Sequence, residues 1–326
     1  MKDKICEKCL NSNTNFANFC NFCGNKFLQT TSMSSSSKFI ETFRSRWALI
    51  WIVVGVFILA VLFELMPYLS DFLDLLISSI WMYGLMFIWV LWVRNRNELS
   101  LKAILGKLNS INTIGIPYLV LIVIVGMGFS ISCTYMSIYL IIQLFGEISL
   151  IETLFDGGDL WPKNFSSIQA YLHAGFVVSI LVLIAPIFEE VVFRGMFMTR
   201  WVVKWGYKRG IIFSSLFFGI LHPGIIGPTV MGVILSCLYN RTKSLWVSVF
   251  CHMINNSIVV ILVLITGDPG SIETEEFTSL SSMLPILGLF IVSSVIISLV
   301  LYKLWPSKSD IIPYQHNLQN LHVNNE

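Results

Sequence analysis

Long apolar runs separated by short charged segments recur from about Ala48 to Trp305. They predict about eight membrane helices: Ala48–Glu64, Ile77–Val93, Ile116–Ile142, Tyr171–Thr199, Ile211–His222, Pro228–Leu238, Leu245–Ile265 and Met283–Trp305. A bilayer core of about 30 Å needs roughly 20 residues of helix. The fifth and sixth runs are short for that, so they either extend into their flanks or are sheltered by neighbouring helices.

Charges between the runs alternate in sign. Lys38, Arg44 and Arg46 precede the first run, and Arg94, Arg96, Lys102 and Lys107 follow the second. Arg200, Lys204, Lys208 and Arg209 follow the fourth, Arg241 and Lys243 the sixth, and Lys303 and Lys308 close the eighth. The other connections are acidic, with Asp71 and Asp74, then Glu147 to Asp159, then Asp268 to Glu276. Lys and Arg accumulate in cytoplasmic loops. An even count of helices then puts both termini in the cytoplasm of a multi-pass cell-membrane protein.

Composition agrees. The chain has 326 residues, 55% hydrophobic and 12% charged, with a net charge of +2 and a mean hydropathy of +0.75. Soluble domains carry about 25% charge, and so small a net charge gives no reason to expect nucleic acid. The bilayer is the expected surrounding.

Residues 1–27 read differently. Cys6, Cys9, Cys20 and Cys23 form two CxxC pairs separated by ten residues. Four thiolates in two such pairs suit a tetrahedral structural zinc, whose binding drives folding of so short a segment. The expected architecture is an all-α polytopic membrane protein with a small N-terminal zinc ribbon, reduced and therefore cytosolic. Residues 28–46 are a linker, 47–306 the membrane domain and 307–326 a polar tail holding His316 and His322. Cys133, Cys237 and Cys251 read as small core residues, and His173 as an interface residue.

Three polar sets interrupt the apolar helices: Glu189, Glu190 and Arg194; His222 after Phe218; and His252 with Asn256. Ionisable groups at membrane depth are paired or face a protein-lined cavity. Counted from the nearest cytosolic charge or turn, Glu189, His222 and His252 lie roughly 17, 18 and 14 Å deep at about 1.5 Å per residue. Glu190 and Arg194 share a helix face and can pair, whereas Glu189 points about 100° away. His252 and Asn256 share a face. A carboxylate and a histidine can activate water while a second histidine and an amide stabilise an oxyanion. A transporter or proton pathway would use the same residue types, and so would polar pairing of a purely structural kind.

EExxxR at Glu189–Arg194, FxxxH at Phe218–His222 and HxxxN at His252–Asn256 resemble, in order and placement, the three motifs of the CPBP family. That family comprises type II CAAX prenyl endopeptidases and bacteriocin-processing and self-immunity proteins. The resemblance covers roughly Tyr171 to Ile265. It implies an intramembrane endopeptidase in which Glu189 and His222 activate water, and His252 and Asn256 stabilise the oxyanion. Glu190 and Arg194 would support the site. The implied substrate is a membrane-associated peptide or protein, with bacteriocin immunity or membrane regulation as the other family role, and a protein partner for the ribbon. With no HExxH motif in the chain, the reading favours a metal-free catalytic site, although Glu189, His222 and His252 are residue types that bind zinc.

Overall fold

The computed structural model describes residues 38–47, 71–145, 166–266, 280–307 and 309–323. It also describes positions 4–6, 8–9, 11–13, 22–23, 50–51, 54–55, 57–58, 61 and 161–162. Two short strands, β1 (Lys4–Ile5) and β2 (Ser12–Asn13), pair antiparallel with Lys4 opposite Asn13. They bracket Cys6 and Cys9 as a small hairpin. Cys20, the linker from 28 to 37 and the acidic connections at 146–160 and 267–279 lie outside the described residues.

The remaining elements are helical: α1 (Lys38–Thr42), α2 (Asp71–Asn97), α3 (Leu101–Leu105), α4 (Ile116–Phe145) and α5 (Ile168–Trp205). They continue with α6 (Tyr207–Ile220), α7 (Ile226–Thr242), α8 (Leu245–Thr266), α9 (Leu280–Leu304) and α10 (Pro313–Val323). Described positions between 45 and 61 are also helical, and Trp81 of α2 donates to the Gly55 carbonyl at 3.0 Å.

The chain is a multi-pass membrane protein, but the expected count of about eight spans is wrong. Five described helices are long and apolar enough to cross: Phe72–Asn97, Ile116–Phe145, Ile168–Trp205, Leu245–Ile265 and Met283–Leu304. The proposed first span, Ala48–Glu64, lies largely outside the described residues. The proposed fifth and sixth fall in α6 and α7, of 14 and 17 residues. These reach only about 21 and 25 Å. They form a hairpin whose turn, Leu221–Ile225, returns the chain at the level of the polar residues of α5. A turn exposes backbone polar groups that lipid cannot satisfy, so it must be sheltered by protein. Gly219 lets the two helices of the hairpin approach closely: a Cβ there would lie 2.0 Å from Thr229 Oγ1 and 2.7 Å from the Ile225 carbonyl.

Apolar side chains such as Leu121 and Ile124 on α4, and Val292 and Leu299 on α9, are more than half exposed. In a membrane protein that surface is the lipid-facing one. The buried core is aromatic toward one end, where Phe197 contacts Phe43, Trp89, Phe193, Trp201 and Phe217 at centroid distances of 5.2–6.3 Å.

At that end the chain's two extremities meet. Phe39 of α1 and Tyr314 of α10 pack at 5.4 Å, and both are fully buried. Asn317 of α10 donates to the carbonyls of Ala103 and Lys243, at 2.9 and 2.7 Å. The segment read from sequence as a polar tail is thus a docked helix.

Candidate active site

Helix α5 is not a uniform α-helix. It is wound as a π-helix over Ser179–Ile184 and again over Val191–Met198, on either side of an α-helical turn at Ala185–Glu190. Such widened turns concentrate at functional sites. The first has a chemical cause in the sequence. A π-turn pairs N–H(i) with C=O(i−5), so the Leu181 carbonyl would look to residue 186, and Pro186 has no N–H. The orphaned oxygen is satisfied from another helix, because Asn256 Nδ2 donates to it at 2.8 Å.

The acids sit on the turn between the two π segments. Glu190 is fully buried and Arg194 is 1% exposed. They form the ion pair expected from the four-residue spacing, Arg194 Nη1 to Glu190 Oε1, at 2.8 Å. The same oxygen accepts from His252 Nδ1 at 3.0 Å. Arg194 also lies over the Phe218 ring, 4.2 Å from its centroid. Gly232 on α7 makes room for it: a Cβ there would come within 3.1 Å of Arg194 Nη2.

Glu189 turns the other way, as the helical offset predicts. Its Oε2 lies 3.7 Å from His222 Nε2 and 3.8 Å from His252 Nε2, and hydrogen-bonds to no described residue. Both imidazoles are held through their other nitrogen. His222 Nδ1 lies 2.8 Å from the Phe218 carbonyl, which can only accept, so Nδ1 carries the proton. His252 Nδ1 is held by Glu190. Each ring therefore presents Nε2 to Glu189.

Phe218 is the residue whose importance the sequence understated. Beyond its carbonyl, its ring packs against His222 at 4.3 Å and edge-on to His252 at 5.7 Å. A cavity of about 450 Å³ opens from Glu189 and His222. Its wall includes Trp51, Trp81, Tyr83 and Trp89, which nothing in the apolar pattern distinguished from lipid-facing aromatics.

Glu189, Glu190, Arg194, His222 and His252 thus lie together, and Asn256 differs. Asn256, expected to face the reacting centre, spends one amide hydrogen on Leu181 and accepts from Asn255 at 3.1 Å. His173 is remote, buried against Phe72 at 5.4 Å with its Nε2 unpartnered among the described residues.

Residues 172–258 match the family model of the Rce1-like type II CAAX prenyl endopeptidases. This segment is Rce1-like. The match takes in all three polar sets. A protein of Bacillus subtilis (strain 168) named as a putative membrane peptidase, YdiL, is 33% identical over 103 residues. That stretch covers 29% of this chain and 42% of YdiL. No solved structure gives a significant match.

Outside the Rce1-like segment, Cys6, Cys9 and Cys23 place their sulfurs within 4.8 Å of one another, with Cys6 and Cys23 at 3.6 Å. A tetrahedral zinc with bonds near 2.3 Å requires sulfurs about 3.8 Å apart, so these three fit a metal. A ribbon fold is not established by the described residues.

Proposed function

We propose that this chain is an intramembrane endopeptidase that hydrolyses a peptide bond of a membrane-associated protein or peptide, with Glu189 as general base. The observation that carries it is the position of Glu189 Oε2, equidistant within 0.1 Å from two imidazole Nε2 atoms. At 3.7 and 3.8 Å these contacts exceed a direct hydrogen bond and match groups that share a water. Glu189 takes one proton of that water as its oxygen attacks the carbonyl, while unprotonated His222 Nε2 accepts a hydrogen bond from the O–H that remains on it. The proton passes from Glu189 to the leaving nitrogen. His252 Nε2, when protonated, and the second amide hydrogen of Asn256 donate to the oxyanion. Glu190 and Arg194 hold His252 and the helix in register.

The docking of α1 on α10 puts residues 38–42 and 313–323 at one end of the bundle, where Arg200 donates to the Ile40 carbonyl and Asn317 to those of Ala103 and Lys243. We assign that end to the cytoplasm. Cys6, Cys9, Cys20 and Cys23 would hold a structural zinc there, supplying cross-links to a segment too short for a core, and the small domain would recruit a protein partner.

The test is cleavage of a fluorogenic apolar peptide by the full chain in proteoliposomes. Glu189→Ala should abolish turnover and leave the unfolding temperature within about 2 °C, since Glu189 has no structural partner to lose. Equal turnover by the wild type and Glu189→Ala would refute the reading.

A further inference from the structure

A second recess lies at the end of α5, away from the acids. It has a volume of about 290 Å³, and four of its lining residues, Arg44, Arg46, Arg200 and Lys204, are cations. No carboxylate lines it among the described residues. Arg44, Arg46 and Lys204 form no ion pair among the described residues, Lys204 lies over the Trp205 ring at 5.0 Å, and Arg200 donates to the Ile40 carbonyl. An excess of cations at a cytoplasmic face follows from membrane topology alone. Their convergence on a recess backed by the buried Trp201 does not.

The recess belongs to a row of neighbouring cavities that ends at Glu189 and His222. It shares Phe43 and Arg44 with a groove of about 440 Å³ in which Trp47, Trp51, Trp89 and Trp92 form the apolar wall. That groove in turn shares Trp51 and Trp89 with the cavity holding Glu189 and His222. Tryptophan-walled cavities that share lining residues thus lie between the proposed base and the cluster of cations.

We propose that the basic recess is a specificity subsite for a carboxylate on the cytosolic flank of the substrate. This inference rests on the endopeptidase reading. Glu189 and Arg200 are eleven residues apart on α5, at most roughly 17 Å, because the π-wound turns at Val191–Met198 rise less per residue. An extended peptide covers about 3.3–3.6 Å per residue, so the carboxylate stands about four to five residues beyond the scissile bond. It is either an acidic side chain or a free C-terminus, each of which pairs with guanidinium groups.

The experiment uses the full chain in zwitterionic proteoliposomes and apolar fluorogenic peptides carrying one Asp at positions three to seven beyond the mapped cleavage site. Matched peptides carry Ala or Lys instead, and a five-residue flank ends in either a carboxylate or an amide. The Asp peptide should be favoured about tenfold in kcat/KM, through KM, with the maximum near position four or five, as expected for one charge-assisted hydrogen bond. The carboxylate terminus should show the same advantage over the amide if the free C-terminus is the source. In R44A/R46A the preference should vanish, and in R44E/R46E it should invert toward Lys. A preference that is absent, or unchanged in these variants, overturns the subsite. So does one that tracks added anionic lipid instead of peptide charge, which would make the recess a headgroup site. If the wild type cleaves none of the peptides, the endopeptidase reading fails. The subsite is then judged by fluorescence anisotropy on Glu189→Ala, where loss of the Asp-over-Ala preference in binding overturns it too.

Discussion

His252 Nδ1 meets Glu190 Oε1 at 3.0 Å, joining helices whose contact residues are 62 positions apart in the chain. The same oxygen carries Arg194, so one buried carboxylate organises a histidine and a guanidinium that would otherwise be uncompensated. The neighbouring carboxylate, Glu189, has no such partner and faces the cavity. Adjacent glutamates therefore divide into one that anchors two donors and one that faces the cavity.

That division predicts an asymmetry. Glu190→Ala strands Arg194, 1% exposed, and should cost about 3–5 kcal/mol, read as a large fall in the unfolding temperature of detergent-purified protein. Glu190→Gln keeps an acceptor for both donors and should lose less. If Glu190→Ala and Glu189→Ala proved equally stable, the anchoring role would be wrong.

The tie from Asn256 to Leu181 predicts coupling with Pro186. Asn256→Leu leaves the Leu181 carbonyl buried without a donor and should cost about 1–3 kcal/mol. Pro186→Ala restores the N–H that a π-turn would use, so the double variant should lose at least about 1 kcal/mol less than the sum of the singles. Strict additivity in a thermal or denaturant cycle would show that the two residues are independent.

Gly232 should behave as part of the site although it bears no chemistry. A Cβ added there lies 3.0 Å from Ser215 Cβ and 3.1 Å from Arg194 Nη2. Gly232→Val should shift Arg194, and with it His252, lowering kcat by about tenfold or more, since misplacement near 1 Å can cost 10²-fold. Full activity of Gly232→Val would show that the guanidinium position does not matter.

Metal content separates the two cysteine- and histidine-bearing regions. Elemental analysis should find one zinc per chain, lost on deleting residues 1–27 or in C6S/C23S. Stoichiometric zinc that survived the deletion and disappeared with His222→Ala or His252→Ala would move the metal to the catalytic site, with Glu189 as its ligand or as the base for metal-bound water.

The docked C-terminal helix should be integral to the fold. Asn317→Leu removes donors from the Ala103 and Lys243 carbonyls and should speed hydrogen exchange across 313–323 with a loss of about 1–3 kcal/mol. Unchanged exchange would show that the helix is held by other contacts.

Much of the chemistry was legible in the one-dimensional pattern, because charge inside an apolar run is costly enough to mark a site without any structure. The four-residue spacing of Glu190 and Arg194 and the one-residue offset of Glu189 followed from helical geometry, and both hold in the structure. The sequence also located the acidic, histidine and asparagine sets at similar depths. It could not show that Glu190 binds His252, or that Asn256 caps the carbonyl left by Pro186. Those contacts join segments 62 and 75 residues apart, and helix periodicity carries no information about which helices are neighbours. The number of spans was misjudged for a related reason. Hydropathy reports that a segment avoids water and not how far it reaches: α6 and α7 pair as a hairpin of 14- and 17-residue helices, α7 largely buried and α6 with apolar side chains such as Phe213 still exposed. The sequence by itself determined the medium, the polar residue types inside it and their local pairing. Tertiary packing decided which carboxylate was left facing the cavity, because that depends on the donors other helices bring to it.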